Sequence, residues 1–188
     1  MFLTLPTLLT WARILAIPLI VGVYYLPISM PDKNLLASVL FVVVALTDWA
    51  DGWLARRLNQ TSAFGAFLDP VADKFLVCAS LLVLLELTRV NAIVALVIIG
   101  REIAISALRE WMAQIGASRS VAVHVLGKFK TASQMGAIVL LLYDGSIPGG
   151  LHTRVLGTWL IYVATGLTIW SMVYYLRKSL PAIRAKVR

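Results

Sequence analysis

"DWADGWLARRLNQTSAFGAFLDPVADK", Asp48–Lys74, sets four aspartates between strongly apolar segments. Asp48 and Asp51 are three residues apart, Asp69 and Asp73 four apart, so each pair lies on one face if its segment is helical. The intervening "GWLARRLNQTSAFGAF" includes a polar turn that returns the chain antiparallel. Two helix ends can then present four carboxylates to one cavity.

The rest of the chain is built for lipid. Its 188 residues are 60% hydrophobic, with a mean hydropathy of +0.87, above the usual apolar share of a soluble domain. Six apolar segments stand out: "ILAIPLIVGVYYL", "LLASVLFVVVALT", "FLVCASLLVLL", "AIVALVIIG", "TASQMGAIVLLLY" and "VLGTWLIYVATGLTIWSMVYYL". They lack sustained two-residue alternation, and hydrogen bonding in hydrocarbon favours helices over open strands. Only the last reaches the ~20 residues that span hydrocarbon unaided. The others become long enough when extended through flanking charged residues, which predicts helices whose ends project into water. The expectation is an all-α integral membrane protein with six transmembrane helices, residues 1–188 forming one membrane-embedded domain with a basic tail at about 177–188.

Charge sets the expected orientation. The formal net charge is +8. The loops "YYLPISMPDKN", "LELTRVN" and "LYDGSIPGGLHTR" should share one side, and they hold only Lys33, Arg89 and Arg154 of the 17 basic residues. The positive-inside rule therefore places both termini and the aspartate stretch in the cytoplasm. Basic residues at the edges of apolar runs fit an anionic membrane surface or phosphorylated substrates better than nucleic acid. The N-terminus has no basic region before its apolar run and reads as retained. Cys78 reads as a small buried hydrophobe, and His124 and His152 are too isolated to suggest a metal site.

Four ionised carboxylates close together repel, and burial raises the cost. A compact set of oxygen ligands suits one or two divalent cations, Mg²⁺ or Mn²⁺, and the absence of His or Cys from the stretch weighs against zinc. Gly52 and Ala55 leave room for a ligand to approach the backbone. Gly65 fits that role or close helix packing equally well. Arg56 could clamp a phosphate, whereas Arg57 reads as a head-group anchor. A transporter of divalent cations is a rival reading, since acids within a membrane often mark ion paths. All four acids lie near one face, however, with no acidic step across the far half.

Asp48, Asp51, Gly52, Ala55, Arg56, Gly65, Asp69 and Asp73 together resemble the signature of the CDP-alcohol phosphatidyltransferase family. "PTLLTWARILAIP" also resembles the family's N-terminal segment, with Thr7 where many members carry asparagine. "REIAISALREWMA" and "LGKFKTASQM" are similar to its bacterial, proteobacterial-type branch that uses sn-glycerol 3-phosphate. The resemblance implies the six-helix CDP-alcohol phosphatidyltransferase fold, a homodimer in the bacterial inner membrane, and catalysis at the cytoplasmic face. It also implies CDP-diacylglycerol as donor, sn-glycerol 3-phosphate as acceptor and CMP as leaving group.

On that resemblance, Asp48, Asp51, Asp69 and Asp73 ligate two metal ions, and Asp73 is the general base. Gly52, Ala55, Arg56 and Gly65 contribute to the CDP-diacylglycerol pocket. Arg101, Arg109 and Lys130 are the candidates for the acceptor phosphate, with Lys130 favoured over Lys128. Glu102 either orients one of these cations or forms a structural ion pair. Arg13 is expected at the rim of the site or as an interface anchor. The same fold with another acceptor, such as serine or inositol phosphate, is the alternative, because the aspartates serve only the shared phosphoryl step.

Overall fold

The computed structural model describes the backbone of residues 5–58, 63–114, 125–147 and 150–186, and the side chains within these ranges other than 5–9, 48–58, 63, 64, 66, 125–128, 178, 179 and 181–186. Its helices are α1 Leu5–Gly22, α2 Met30–Leu58, α3 Ala63–Glu86, α4 Ala92–Gln114, α5 Val125–Tyr143 and α6 Thr153–Lys186, with a 3₁₀ turn at Val23–Tyr25. The all-α, six-helix expectation therefore holds.

Local chemistry starts and stops these helices. Ser29 caps α2: its hydroxyl accepts from the Asp32 backbone N–H at 3.4 Å and donates to the Asp32 carboxylate at 2.5 Å. Asn91 caps α4, its Oδ1 accepting from the Ile93 N–H at 2.8 Å. Beyond α3, Thr88 adopts φ 55°, a left-handed conformation that a β-branched residue takes only under constraint. The Arg89 and Val90 N–H groups then donate to the Leu84 carbonyl at 2.8 and 3.2 Å.

At 1.5 Å per residue, α2 and α6 are roughly 44 and 51 Å long, well beyond a ~30 Å hydrocarbon layer. Among the described residues, Met30–Thr47 and Thr153–Arg177 are the two stretches long and apolar enough to cross a membrane by length and composition. The bundle's outer surface is apolar as well. Leu15, Leu46, Ile93, Leu96, Ile103, Trp159 and Trp170 are all exposed, Leu96 at 72%. A bundle that turns such side chains outward is suited to a lipid solvent.

Inside, Ile17, Phe41, Leu76, Leu84, Ile98, Ile138, Leu141 and Ile161 belong to one buried cluster drawn from all six helices. Among the described residues, α1 packs against both α2 and α3, which touch each other only slightly; α5 pairs extensively with α6; α4 lies against α6 and α3. α6 turns a stripe of Thr153, Gly157, Ile161, Ala164, Thr168, Ser171 and Tyr175 inward at steps of three and four. A Cβ on Gly157 would come within 2.8 Å of Leu141 Cγ and 3.2 Å of the Ala137 carbonyl. Glycine therefore allows the close approach of α5 and α6.

The three loops expected on one side do meet at one end of the bundle. Arg89, in the α3–α4 loop, is buried and uses most of its donors there. Nη1 donates to the Leu141 and Leu142 carbonyls at 3.0 and 2.9 Å, and Nη2 to Asn34 Oδ1 at 2.9 Å. Nε pairs with Asp144 Oδ2 at 3.1 Å. Arg154 donates to the Thr88 carbonyl at 2.9 Å, and Lys33 to the Tyr24 carbonyl at 2.9 Å. The sequence reading counted Arg89 only as a loop charge. The fold makes it a staple joining α2, the α3–α4 loop and the C-terminal end of α5.

Candidate active site

The aspartates lie at the opposite end. Only residues 59–62 separate α2 from α3, so the end of α2 carrying Asp48 and Asp51 and the start of α3 carrying Asp69 and Asp73 must lie near each other. The side chains of Asp48, Asp51, Gly52, Ala55 and Arg56 fall outside the described residues, and their convergence with α3 is not part of what the structure describes. Gly65 is buried in the first turn of α3.

Asp69 and Asp73 are half-buried and one helical turn apart. Pro70 stands between them inside α3, where it removes the N–H that would reach the carbonyl of residue 66. Asp69 Oδ1 accepts a 2.6 Å hydrogen bond from the Thr10 hydroxyl on α1. The sequence reading missed this contact; Thr10 had no signal beyond its place in a short polar break. Thr10, Arg13, Ile17 and Ile20 share the buried face of α1, with Arg13 only 2% exposed. Arg13 is therefore enclosed on the α1 face that touches Asp69's helix.

A second polar group lies between α4, α5 and α6. Arg101 and Lys130 are both buried. Arg101 Nη1 donates to Glu102 Oε1 at 3.2 Å, and the Lys130 ammonium donates to the same oxygen. Arg101 Nη2 reaches Ser171 Oγ on α6 at 3.0 Å, and the Ser171 hydroxyl donates onward to the Thr168 carbonyl at 2.9 Å. The exposed Phe129 and the buried Lys130 show that α5 turns Lys130 inward, as expected. Lys128's side chain lies outside the described residues.

Arg109, two helical turns after Arg101, does not share its side of α4. Eight residues of helix carry it about 80° around the axis. It is exposed, with its guanidinium 5.9 Å from the Tyr175 ring centroid. Its charge still acts on Lys130, and the charge of Lys74, next to Asp73, acts on Glu102. Lys74 on α3 thus adds to the electrostatic surroundings of Glu102.

The carboxylates suit a hard divalent cation by donor type. Among the described residues no three His, Cys, Asp or Glu side chains come together, Asp48 and Asp51 lying outside them.

The CDP-alcohol phosphatidyltransferase family model matches residues 3–170. The chain belongs to this family. It is 47% identical over 174 residues, 92% of either chain, to a CDP-diacylglycerol–glycerol-3-phosphate 3-phosphatidyltransferase of Shigella flexneri serotype 5b (strain 8401). The same identity and coverage relate it to the enzyme of that name from Escherichia coli strain K12. The family match takes in both aspartate pairs and all of the Arg101, Glu102 and Lys130 group.

Proposed function

We propose that this chain transfers the phosphatidyl group of CDP-diacylglycerol to sn-glycerol 3-phosphate, giving phosphatidylglycerophosphate and CMP. The observation that carries this reading is the 47% identity over 92% of both chains to enzymes named for that reaction. The buried basic group supports the acceptor assignment, because an acceptor that brings its own phosphate needs cations enclosed beside the reacting centre.

In this reading Asp48, Asp51, Asp69 and Asp73 hold two divalent cations, Mg²⁺ or Mn²⁺. Such ions polarise a phosphoryl group and stabilise charge on the entering and leaving oxygens. Asp73 accepts the proton of the acceptor hydroxyl as its oxygen bonds to the diacylglycerol-bearing phosphorus. The bond from that phosphorus to the CMP oxygen breaks. Thr10 fixes one oxygen of Asp69. Gly52, Ala55, Arg56 and Gly65 line the donor pocket, with Arg13 beside it. Arg101, Arg109 and Lys130 hold the acceptor phosphate.

The same reading makes all six helices membrane spans in one catalytic domain, with a basic tail from about residue 177. Both termini and the aspartates face the cytoplasm of a bacterial inner membrane, and the protein works as a homodimer. The inward-facing polar groups and outward-facing apolar ones support this, as does the meeting of the three charge-poor loops at the end remote from the aspartates.

The test is a product assay on purified protein in mixed micelles. CMP release and phosphatidylglycerophosphate formation should require glycerol 3-phosphate, stop with chelator and return with Mg²⁺ or Mn²⁺. Product with serine or inositol phosphate, and none with glycerol 3-phosphate, would replace the acceptor while keeping the family chemistry. Cation flux without CMP release would overturn the enzyme reading.

A further inference from the structure

Arg101 and Lys130 come from different helices, yet their charges end on one oxygen, Glu102 Oε1. Their side chains are only 8% and 3% exposed, and that of Glu102 is 19% exposed. Two cations enclosed side by side repel each other, and desolvation makes each costlier. The carboxylate offsets both effects and leaves the trio with one net positive charge. It also sets direction. Arg101 and Glu102 are adjacent on α4, so their side chains leave the helix about 100° apart. Nη1 turns toward Glu102 while Nη2 is fixed by Ser171, itself tied to the Thr168 carbonyl. Lys130 has a flexible stem and a point charge with no preferred fork, so a fixed anion is what gives its ammonium a position.

We propose that Glu102 is a positioning residue for the acceptor. It holds the Lys130 ammonium and the Arg101 guanidinium together, in the arrangement that receives the phosphate of the incoming alcohol. This rests on the reading that Arg101 and Lys130 bind that phosphate. Glu102 itself does not touch the acceptor. A carboxylate facing a phosphate dianion would repel it, so its contribution passes through the two cations. The purpose is preorganisation: the cations are already paired, desolvated and aimed when the phosphate arrives.

The experiment is steady-state kinetics of CMP release with purified full-length protein, varying glycerol 3-phosphate and CDP-diacylglycerol separately. Lys130→Ala tests the acceptor site itself, and Glu102→Gln tests the brace. Glu102→Gln should raise the glycerol 3-phosphate KM by about tenfold or more, the scale of losing a charged hydrogen-bond partner. The CDP-diacylglycerol KM should stay within twofold. Glu102→Asp, which keeps the charge but shortens the arm by one methylene, should recover part of the loss. If Lys130→Ala leaves the acceptor KM unchanged, the acceptor reading falls and the brace falls with it. If Lys130→Ala raises it and Glu102→Gln does not, the brace alone is overturned. A Glu102→Gln protein with less folded material but unaltered KM values would make Glu102 a purely structural ion pair, which also overturns the proposal. Should Glu102→Gln fail to accumulate in membranes, Glu102→Asp decides: a rise of about threefold or more in acceptor KM supports the brace, and an unchanged value refutes it.

Discussion

Arg89→Ala should destabilise the protein strongly without touching catalysis. The substitution removes the donors to the Leu141 and Leu142 carbonyls and to Asn34, along with the ion pair to Asp144. Asp144 keeps only modest solvent exposure, its side chain being 21% exposed. Breaking one partner of a buried pair costs about 3–5 kcal/mol, because the remaining charge is left uncompensated. Both carbonyls lie at the C-terminal end of α5, where helical acceptors have no intrahelical donor, so their loss falls inside the same range. For a chain of this length, ~4 kcal/mol corresponds to a fall of about 10 °C in the unfolding midpoint. The assay is thermal unfolding of the purified protein in a mild detergent, followed by the fraction remaining monodisperse. Asp144→Asn should give a smaller loss, and the double variant should lose less than the two single losses combined. Turnover per folded molecule should stay within twofold, since the aspartates sit at the other end of the bundle. A midpoint shift under about 3 °C, near 1 kcal/mol on the same scale, would mean the network is solvent-satisfied and the reasoning is wrong.

Asp73→Asn should lower CMP release by roughly 10²–10⁴-fold, the usual range for a lost general base, while the unfolding midpoint holds; near-normal rates would remove Asp73 from that role. Thr10→Val should cut kcat by about tenfold, since the Asp69 carboxylate loses its 2.6 Å donor, and Thr10→Ser should restore it; if Thr10→Val stays at wild-type rate, the contact does not orient Asp69. Gly157→Leu should lower the unfolding midpoint, because even a Cβ there meets Leu141 at 2.8 Å, with a loss of about 1–3 kcal/mol from overpacking; an unchanged midpoint would show that α5 and α6 can separate without cost.

Much of the architecture was readable from hydropathy and loop charge. Long apolar runs leave few options in a bilayer, and turn-rich loops with three basic residues between them did gather at one end. The aspartate spacing likewise placed Asp69 and Asp73 one turn apart on α3. What the sequence could not give was the pairing of single polar residues far apart in the chain. Arg89 looks like any loop charge until the left-handed turn at Thr88 and the end of α5 are in place. Thr10 reads as a polar break, Ser171 as one more small residue in a membrane stripe. The neighbours of α1 also escaped, since nothing in the sequence shows that it packs against both α2 and α3. The rotation of Arg109 about the α4 axis relative to Arg101, about 80° over eight residues, follows from helix geometry alone.

Arg89 grips the main chain of α5 at Leu141 and Leu142, and a carbonyl is common to every amino acid. The side chains at those two positions can therefore drift over evolutionary time without loosening the grip, provided they still fit their surroundings. Inserting or deleting a single residue in α5 is another matter: it would rotate those acceptors by about 100° and shift them by about 1.5 Å. Natural variation in this half of the helix should accordingly consist of exchanges at constant length.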